Sequence, residues 1–207
     1  MNRVERKYIR QQQKDFEIAL KNRARKTGWR FSGGVVFRSQ SDWFLSNRPS
    51  VKLGGGVQNH LLVKPMELDT LFWNIVGLEE NETLPLSFRE NGAWVLRPSR
   101  LSEFKGGNVT DPIELAEIAF DWTENWRLSK LPSYEIDDMI NALSPLEDSK
   151  GHLRSVAICL LIMLEKYKEA EFLCDTKRSD YGGFSVGVTE SFYSMAKKWL
   201  AKNEPVA

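Results

Sequence analysis

The sequence predicts an α+β fold: an N-terminal helix, a mostly antiparallel sheet of short strands with one interposed helix, and a C-terminal helical third. Three observations carry this prediction. The first 26 residues place Ile9, Phe16, Ala19 and Leu20 on one helical arc, opposite a row of cations. Short aromatic and β-branched runs punctuated by glycine occupy residues 29–63. From Asp111 onward the apolar residues recur three and four apart nearly to the end. Strands and helices are thus segregated along the chain, which favours α+β over an alternating α/β order.

The first helix is expected from near Asn2 to Lys26 or Thr27, with Gly28 available as the left-handed residue that stops it. Residues 29–32 and 35–39 flank Gly33-Gly34, a pair whose freedom at positive φ suits a tight hairpin. Residues 43–45 read as another strand. Residues 51–53 and 57–63 read as two more, with Gly54-Gly55-Gly56 as a turn or bulge between them. Pro65 then suits the first position of a helix whose buried face is Leu68, Leu71, Phe72, Ile75 and Val76. An acidic loop, Glu79-Glu80-Asn81-Glu82, precedes a second expected hairpin: residues 84–88 and 93–96 flank Glu90-Asn91-Gly92, and Asn-Gly is a strong hairpin signal.

Asp111 can cap a helix that has Pro112 at its first position. Four helices are expected from there, with cores at 112–127, 134–143, 152–174 with a break near Tyr167, and 186–202. In the last, Val188, Phe192, Met195 and Trp199 form one apolar stripe that should pack inward. No fixed-period repeat or biased linker divides the chain. It reads as a single domain over 1–207, with a soft subdivision at Gly106-Gly107 into a helix-plus-sheet part, 1–107, and a helical part, 108–207.

A chain of 207 residues that is 42% hydrophobic can bury one sizeable core. Its two cysteines, Cys159 and Cys174, suggest no disulfide scaffold, and Cys159 sits in an apolar run where a buried free thiol is expected. That run, 156–164, is the longest apolar stretch and is too short for a membrane span, and the N-terminus has no apolar core of a signal peptide. A cytoplasmic location without membrane attachment is therefore expected.

Charge is the most informative feature. Net charge is only +1, yet residues 1–30 hold ten Lys or Arg against three Asp or Glu, and residues 111–150 hold three against ten. Wound as a helix, Arg3, Lys7, Arg10, Lys14, Lys21 and Arg25 fall within an arc of about 60°. On the helix after Pro112, Glu114, Glu117, Asp121 and Glu124 fall within about 80°. The two stripes can pair within one molecule, pair between two copies, or be the solvated faces of two surface helices. The basic stripe can also meet an external anionic partner. For nucleic acid, neutralised phosphates would release counterions, but near-neutral net charge, a nearby acidic segment and the lack of a recognition motif weigh against it.

Chemical motifs are sparse. The glycine run 54–56 lacks the Lys-Ser or Lys-Thr of a phosphate loop and precedes a strand. His60 with Asp42 and Ser41 would be the residues for a nucleophile-base-acid set, although no spacing supports it. The two His and two Cys show no metal-ligand spacing, and Asp137-Asp138 read as solvated helix positions, so no metal, cofactor or catalytic residue is assigned. The loop 175–184 places Lys177, Arg178 and Tyr181 beside flexible glycines, residue types favoured in binding hot spots.

Two short resemblances add expectations. Leu160-Leu161 and Leu164-Glu165-Lys166-Tyr167-Lys168-Glu169-Ala170 resemble the middle of a tetratricopeptide helix pair, with Glu165 where that motif usually has glycine. The resemblance implies a helical hairpin without a repeat array. Residues 16–20, Gly28-Trp29-Arg30-Phe31, Val36-Phe37-Arg38, Lys64-Pro65 and Leu71-Phe72-Trp73 are similar to an uncharacterised family of bacterial domains, which brings no activity and, by analogy, an immunity or accessory role beside a toxin. The function expected from all this is that of a non-enzymatic cytoplasmic bacterial protein that binds another macromolecule, another protein ahead of nucleic acid, with a homo-oligomer as one form. The binding residues are the six-cation stripe with Lys177, Arg178 and Tyr181. An enzyme with a site in the sheet cleft is the alternative.

Overall fold

The computed structural model describes residues 3–52, 55–97, 102–106, 109–143, 152–175 and 190–203. In chain order the elements are α1 (Arg3–Lys26), β1 (Arg30–Ser32), β2 (Val35–Gln40), β3 (Trp43–Asn47), β4 (Ser50–Val51), β5 (Val57–Pro65), α2 (Met66–Val76), α3 (Phe88–Asn91), β6 (Ser102–Gly106), α4 (Pro112–Ser129), α5 (Ile136–Leu143), α6 (His152–Met163), α7 (Tyr167–Asp175) and α8 (Phe192–Asn203). The α+β class is as expected. The chain forms two compact units, one of Met1–Val63 with Arg100–Tyr134, the other of Lys64–Ser99 with Glu135–Ala207. The soft boundary at residue 107 lies outside the described residues.

In the first unit, α1 stops as its sequence requires. Gly28 takes φ 78°, and the Thr27 and Trp29 amides both donate to the Ala24 carbonyl, at 3.1 and 3.0 Å. Gly33 and Gly34 both have positive φ, so β1 and β2 close through a two-residue turn whose twist matches the strands, in the register Ser32↔Val35. Strand β2 pairs antiparallel with β3. The Arg48 amide donates to His60 and Ser50 pairs with Gln58, so β4 resumes beside β5 after the interruption at Arg48 and Pro49. On its other edge β5 takes β6 antiparallel, Val57↔Gly106 to Leu61↔Ser102. The sequence pattern does not single out β6.

Alternation along β5 buries Val57, Asn59, Leu61 and Val63 while the residues between them are partly exposed, the signature of a half-covered sheet. The inward residues meet Phe16, Leu20 and Ala24 of α1 and Leu115, Ala116, Ala119 and Phe120 of α4 in one core. Burying a side chain such as Phe16 or Leu20 contributes about 1.5–3 kcal/mol. Helix α4 begins where predicted: the Asp111 carboxylate accepts from the Ile113 and Glu114 amides at 2.8 and 2.9 Å, with Pro112 next in line.

In the second unit the interposed helix buries Leu68, Leu71, Phe72, Ile75 and Val76, as its spacing predicts. Pro65, however, is the last residue of β5 and precedes the helix at ψ 142°, outside the first helical position expected for it. The acidic segment forms a 3₁₀ turn, Glu79–Thr83. The expected hairpin over 84–96 is not formed. Residues Phe88–Asn91 make one helical turn, and Gly92 is extended at φ −67°, so the Asn-Gly pair does not supply the positive φ of a hairpin turn. Gly92 is used for close packing instead, since a Cβ there would lie 2.5 Å from the Phe88 carbonyl oxygen.

The expected break near Tyr167 is real. Helices α6 and α7 pack as a hairpin, and Glu165 takes the left-handed conformation at φ 59° between them. Helix α8 begins at Phe192, later than expected, and Val188 lies outside the described residues. Its buried face is Phe192, Tyr193, Ala196 and Leu200, rotated from the expected stripe so that Trp199 and Met195 are only partly covered.

Candidate functional site

Among the described residues of the first unit, the outer flank of α1 carries a row of cations without ion pairs. The helix packs through Phe16, Leu20 and Ala24, whose arc centres about 110° from the basic stripe. Arg3, Lys7, Arg10, Lys14 and Arg25 are therefore exposed and Lys21 is partly exposed. Among the described residues none of the six makes an ion pair. Helix α4 lies against a different side of α1, the side that carries Ala19 and Arg23.

That geometry decides between the arrangements open to the two stripes within one unit. The cation that answers the acidic stripe is Arg23, which is not a stripe member. Its Nε lies 3.0 Å from Glu117 and its Nη2 lies 3.1 Å from Asp121, with the guanidinium 5.5 Å above the Phe120 ring. Glu124, also in the acidic stripe, is held by Arg127 at 2.8 Å and by the Trp29 indole N–H. Burial alone would raise the Glu124 pKa, but the hydrogen bonds from Arg127 and Trp29 outweigh it and lower the pKa from the ordinary 4.5. The acidic stripe is thus largely satisfied by its own unit. The basic stripe is not met by it.

Beside Arg23 a groove of about 450 Å³ runs between α1 and α4. Ile18 and Ile113 border it and stay 50% and 63% exposed, while Asp15, Asn22 and Lys26 supply a polar edge. An apolar strip with a mixed-charge border is typical of protein-binding surfaces. Lys177, Arg178 and Tyr181 lie outside the described residues.

The residues considered for catalysis are not brought together. The His60 amide donates to Asn47 Oδ1 at the end of β3, whereas Ser41 and Asp42 form the turn before its start, four residues back. At 3.2–3.4 Å per strand residue, that is about 13 Å along the strand. Asn47 belongs instead to a buried polar cluster, donating to Asn59 at 2.9 Å and Thr123 at 2.6 Å. Of the glycine run, Gly54 lies outside the described residues, while Gly55 and Gly56 pack on the segment before α4: the Gly56 amide donates to the Val109 carbonyl at 2.8 Å, and a Cβ on Gly55 would sit 3.0 Å from that oxygen. Among the described residues no group of three metal-binding side chains occurs, and no helix is long and apolar enough to cross a membrane.

Sequence reasoning missed one charged centre, in the second unit. Lys64 and Asp69 have fully buried side chains, 2.8 Å apart. The Lys64 ammonium also donates to the Arg89 and Leu96 carbonyls, both at 2.8 Å, so its three N–H groups are all used. Asp69 accepts from the Leu96 amide at 3.0 Å and from Arg89 at 3.4 Å. Burial lowers the Lys64 pKa against the opposing pull of Asp69. A lysine with every donor occupied and no exposed surface is a clamp on the 89–96 segment, not a base or nucleophile. Its one sequence signal is a lysine directly after the apolar run Leu61-Leu62-Val63. Comparisons with protein-family models, with characterised proteins and with solved structures gave no match.

Proposed function

We propose that the protein is a non-enzymatic, cytoplasmic binding protein whose α1 flank docks on an acidic surface of another protein. The observation that carries this reading is the row Arg3, Lys7, Arg10, Lys14, Lys21 and Arg25, none of which makes an ion pair among the described residues while the adjacent acidic stripe has internal cations. Closely spaced like charges repel, so a stripe left unpaired costs stability and gains it back when a complementary surface arrives. The exposed Ile18 and Ile113 beside it supply the apolar contact that a purely electrostatic encounter lacks. The apolar contact offered by Ile18 and Ile113 favours a protein surface over a phosphate backbone. An immunity or accessory role, and a bacterial source, are compatible with this reading.

The test is cross-linked capture from a lysate of the source organism, with and without nuclease, comparing the wild-type chain with K7E/R10E/K14E. The proposal expects a discrete partner that survives nuclease and disappears with the triple reversal. Capture that depends on intact nucleic acid, with a steep loss of affinity as salt rises, would replace it with nucleic-acid binding.

A further inference from the structure

The second unit holds a cavity of about 360 Å³ where α2, the α6–α7 turn and α8 converge. Its size falls in the range of small-ligand pockets. Buried Leu71 and Ile162 give it an apolar base. Two aromatic side chains line it, Tyr167 and Trp199, and the Trp199 indole N–H donates to Asn74 Oδ1 at 3.0 Å, which fixes that ring to α2. Two carboxylates line it as well, Glu67 from the first turn of α2 and Glu165 from the turn between α6 and α7. No Lys or Arg lines the cavity, and three cations of this unit are engaged elsewhere: Lys166 with Asp137 at 3.1 Å, Lys198 with Glu190 at 2.6 Å, and Arg89 with Asp69 and the Met66 carbonyl. Among the described residues neither Glu67 nor Glu165 has an ion pair. Glu165 also occupies its turn at φ 59°, a conformation glycine adopts without strain, so glycine can replace it there without disturbing the backbone.

We infer that this cavity binds an alkylammonium group: a primary amine at the end of an apolar stem. The stem packs on Leu71 and Ile162, the charge meets the two carboxylates, and the aromatic rings add cation–π attraction. The same chemistry comes from two sources, the lysine side chain of a polypeptide or a free diamine. The inference is independent of the role given to α1, which belongs to the other unit.

The test titrates the full chain with 1,5-diaminopentane and with N-acetyl-lysine methylamide, using 1-pentanol as the neutral control, and follows the Trp199 indole N–H resonance by NMR, assigned with Trp199→Phe. Both amines should produce a saturable shift that pentanol does not, and Glu67→Gln and Glu165→Gly should each weaken binding about tenfold or more. Glu165→Gly keeps the turn conformation, so unchanged melting of that variant separates loss of the carboxylate from loss of the fold. Tighter binding of the diamine assigns a free amine as ligand; equal or tighter binding of the lysine derivative assigns a protein side chain. A shift that fails to saturate well above millimolar amine, an equal response to pentanol, or undiminished binding by both variants would overturn the inference.

Discussion

Two charged regions of this chain stand in opposite conditions. In the second unit Lys64 and Asp69 are shut away from water, and every ammonium proton has a named acceptor. On the α1 flank five cations stand in solvent and Lys21 is partly exposed, and among the described residues none of the six has an ionic partner. The buried pair is structural by saturation: nothing is left over for a ligand, and removing either member strands the other in a low-dielectric interior. The exposed stripe has the reverse property: among the described residues none of its cations is spent on an ion pair. Arg23 lies between these extremes, on the same helix as the stripe, but 36% exposed and spent on two carboxylates of α4.

Five variants grade that contrast. Asp69→Ala should be the most damaging, since it leaves Lys64 buried without a counter-charge and frees the Leu96 amide; the expected loss is about 3–5 kcal/mol in urea unfolding. The double variant K64M/D69N should recover much of it, because the charge is gone and an acceptor for Leu96 remains. A double variant no better than the single one would mean that the pair itself, not the stranded charge, holds the 89–96 segment.

Glu124→Gln comes next. The folded-state pKa of Glu124 is lowered, so its contribution is present above the unfolded value near 4.5 and is lost as pH falls through the folded value. The stability gap between wild type and Glu124→Gln should therefore be open at neutral pH and narrow in acid, as followed by melting from pH 7 to pH 3. A gap that stays constant or widens in acid would remove the carboxylate from the account. Arg23→Ala should cost about 0–1 kcal/mol, the range of half-exposed pairs, with some lost packing over Phe120. Reversal of Lys7, Arg10 and Lys14 should have the smallest effect on melting, because it removes no pair.

Much of the first unit was legible where local chemistry decides the backbone. The stop at Gly28, the Gly33-Gly34 turn and the Asp111–Pro112 start each depend on residues within a few positions of one another. Reading failed where distant atoms outvote a local signal. Asn91-Gly92 is a hairpin dipeptide, yet the segment is held by Lys64 and Asp69, more than twenty residues earlier in the chain, and Gly92 is pressed against Phe88. On α8 the spacing of Phe192, Met195 and Trp199 fits a stripe, but Tyr193, Ala196 and Leu200 are the residues buried with Phe192. A helical wheel likewise shows which cations of α1 share a face; it does not show that Arg23, outside that face, is the one opposite Glu117 and Asp121.

The claim that the α1 stripe is free of structural duty and reserved for a partner is tested most directly by melting temperature and partner capture on one preparation of K7E/R10E/K14E. The account predicts a melting temperature within about 2 °C of wild type, since a 1 kcal/mol change would move it by roughly 2–4 °C in a chain of this length, together with lost capture. A melt lowered by many degrees, or capture that persists after the reversal, would contradict it.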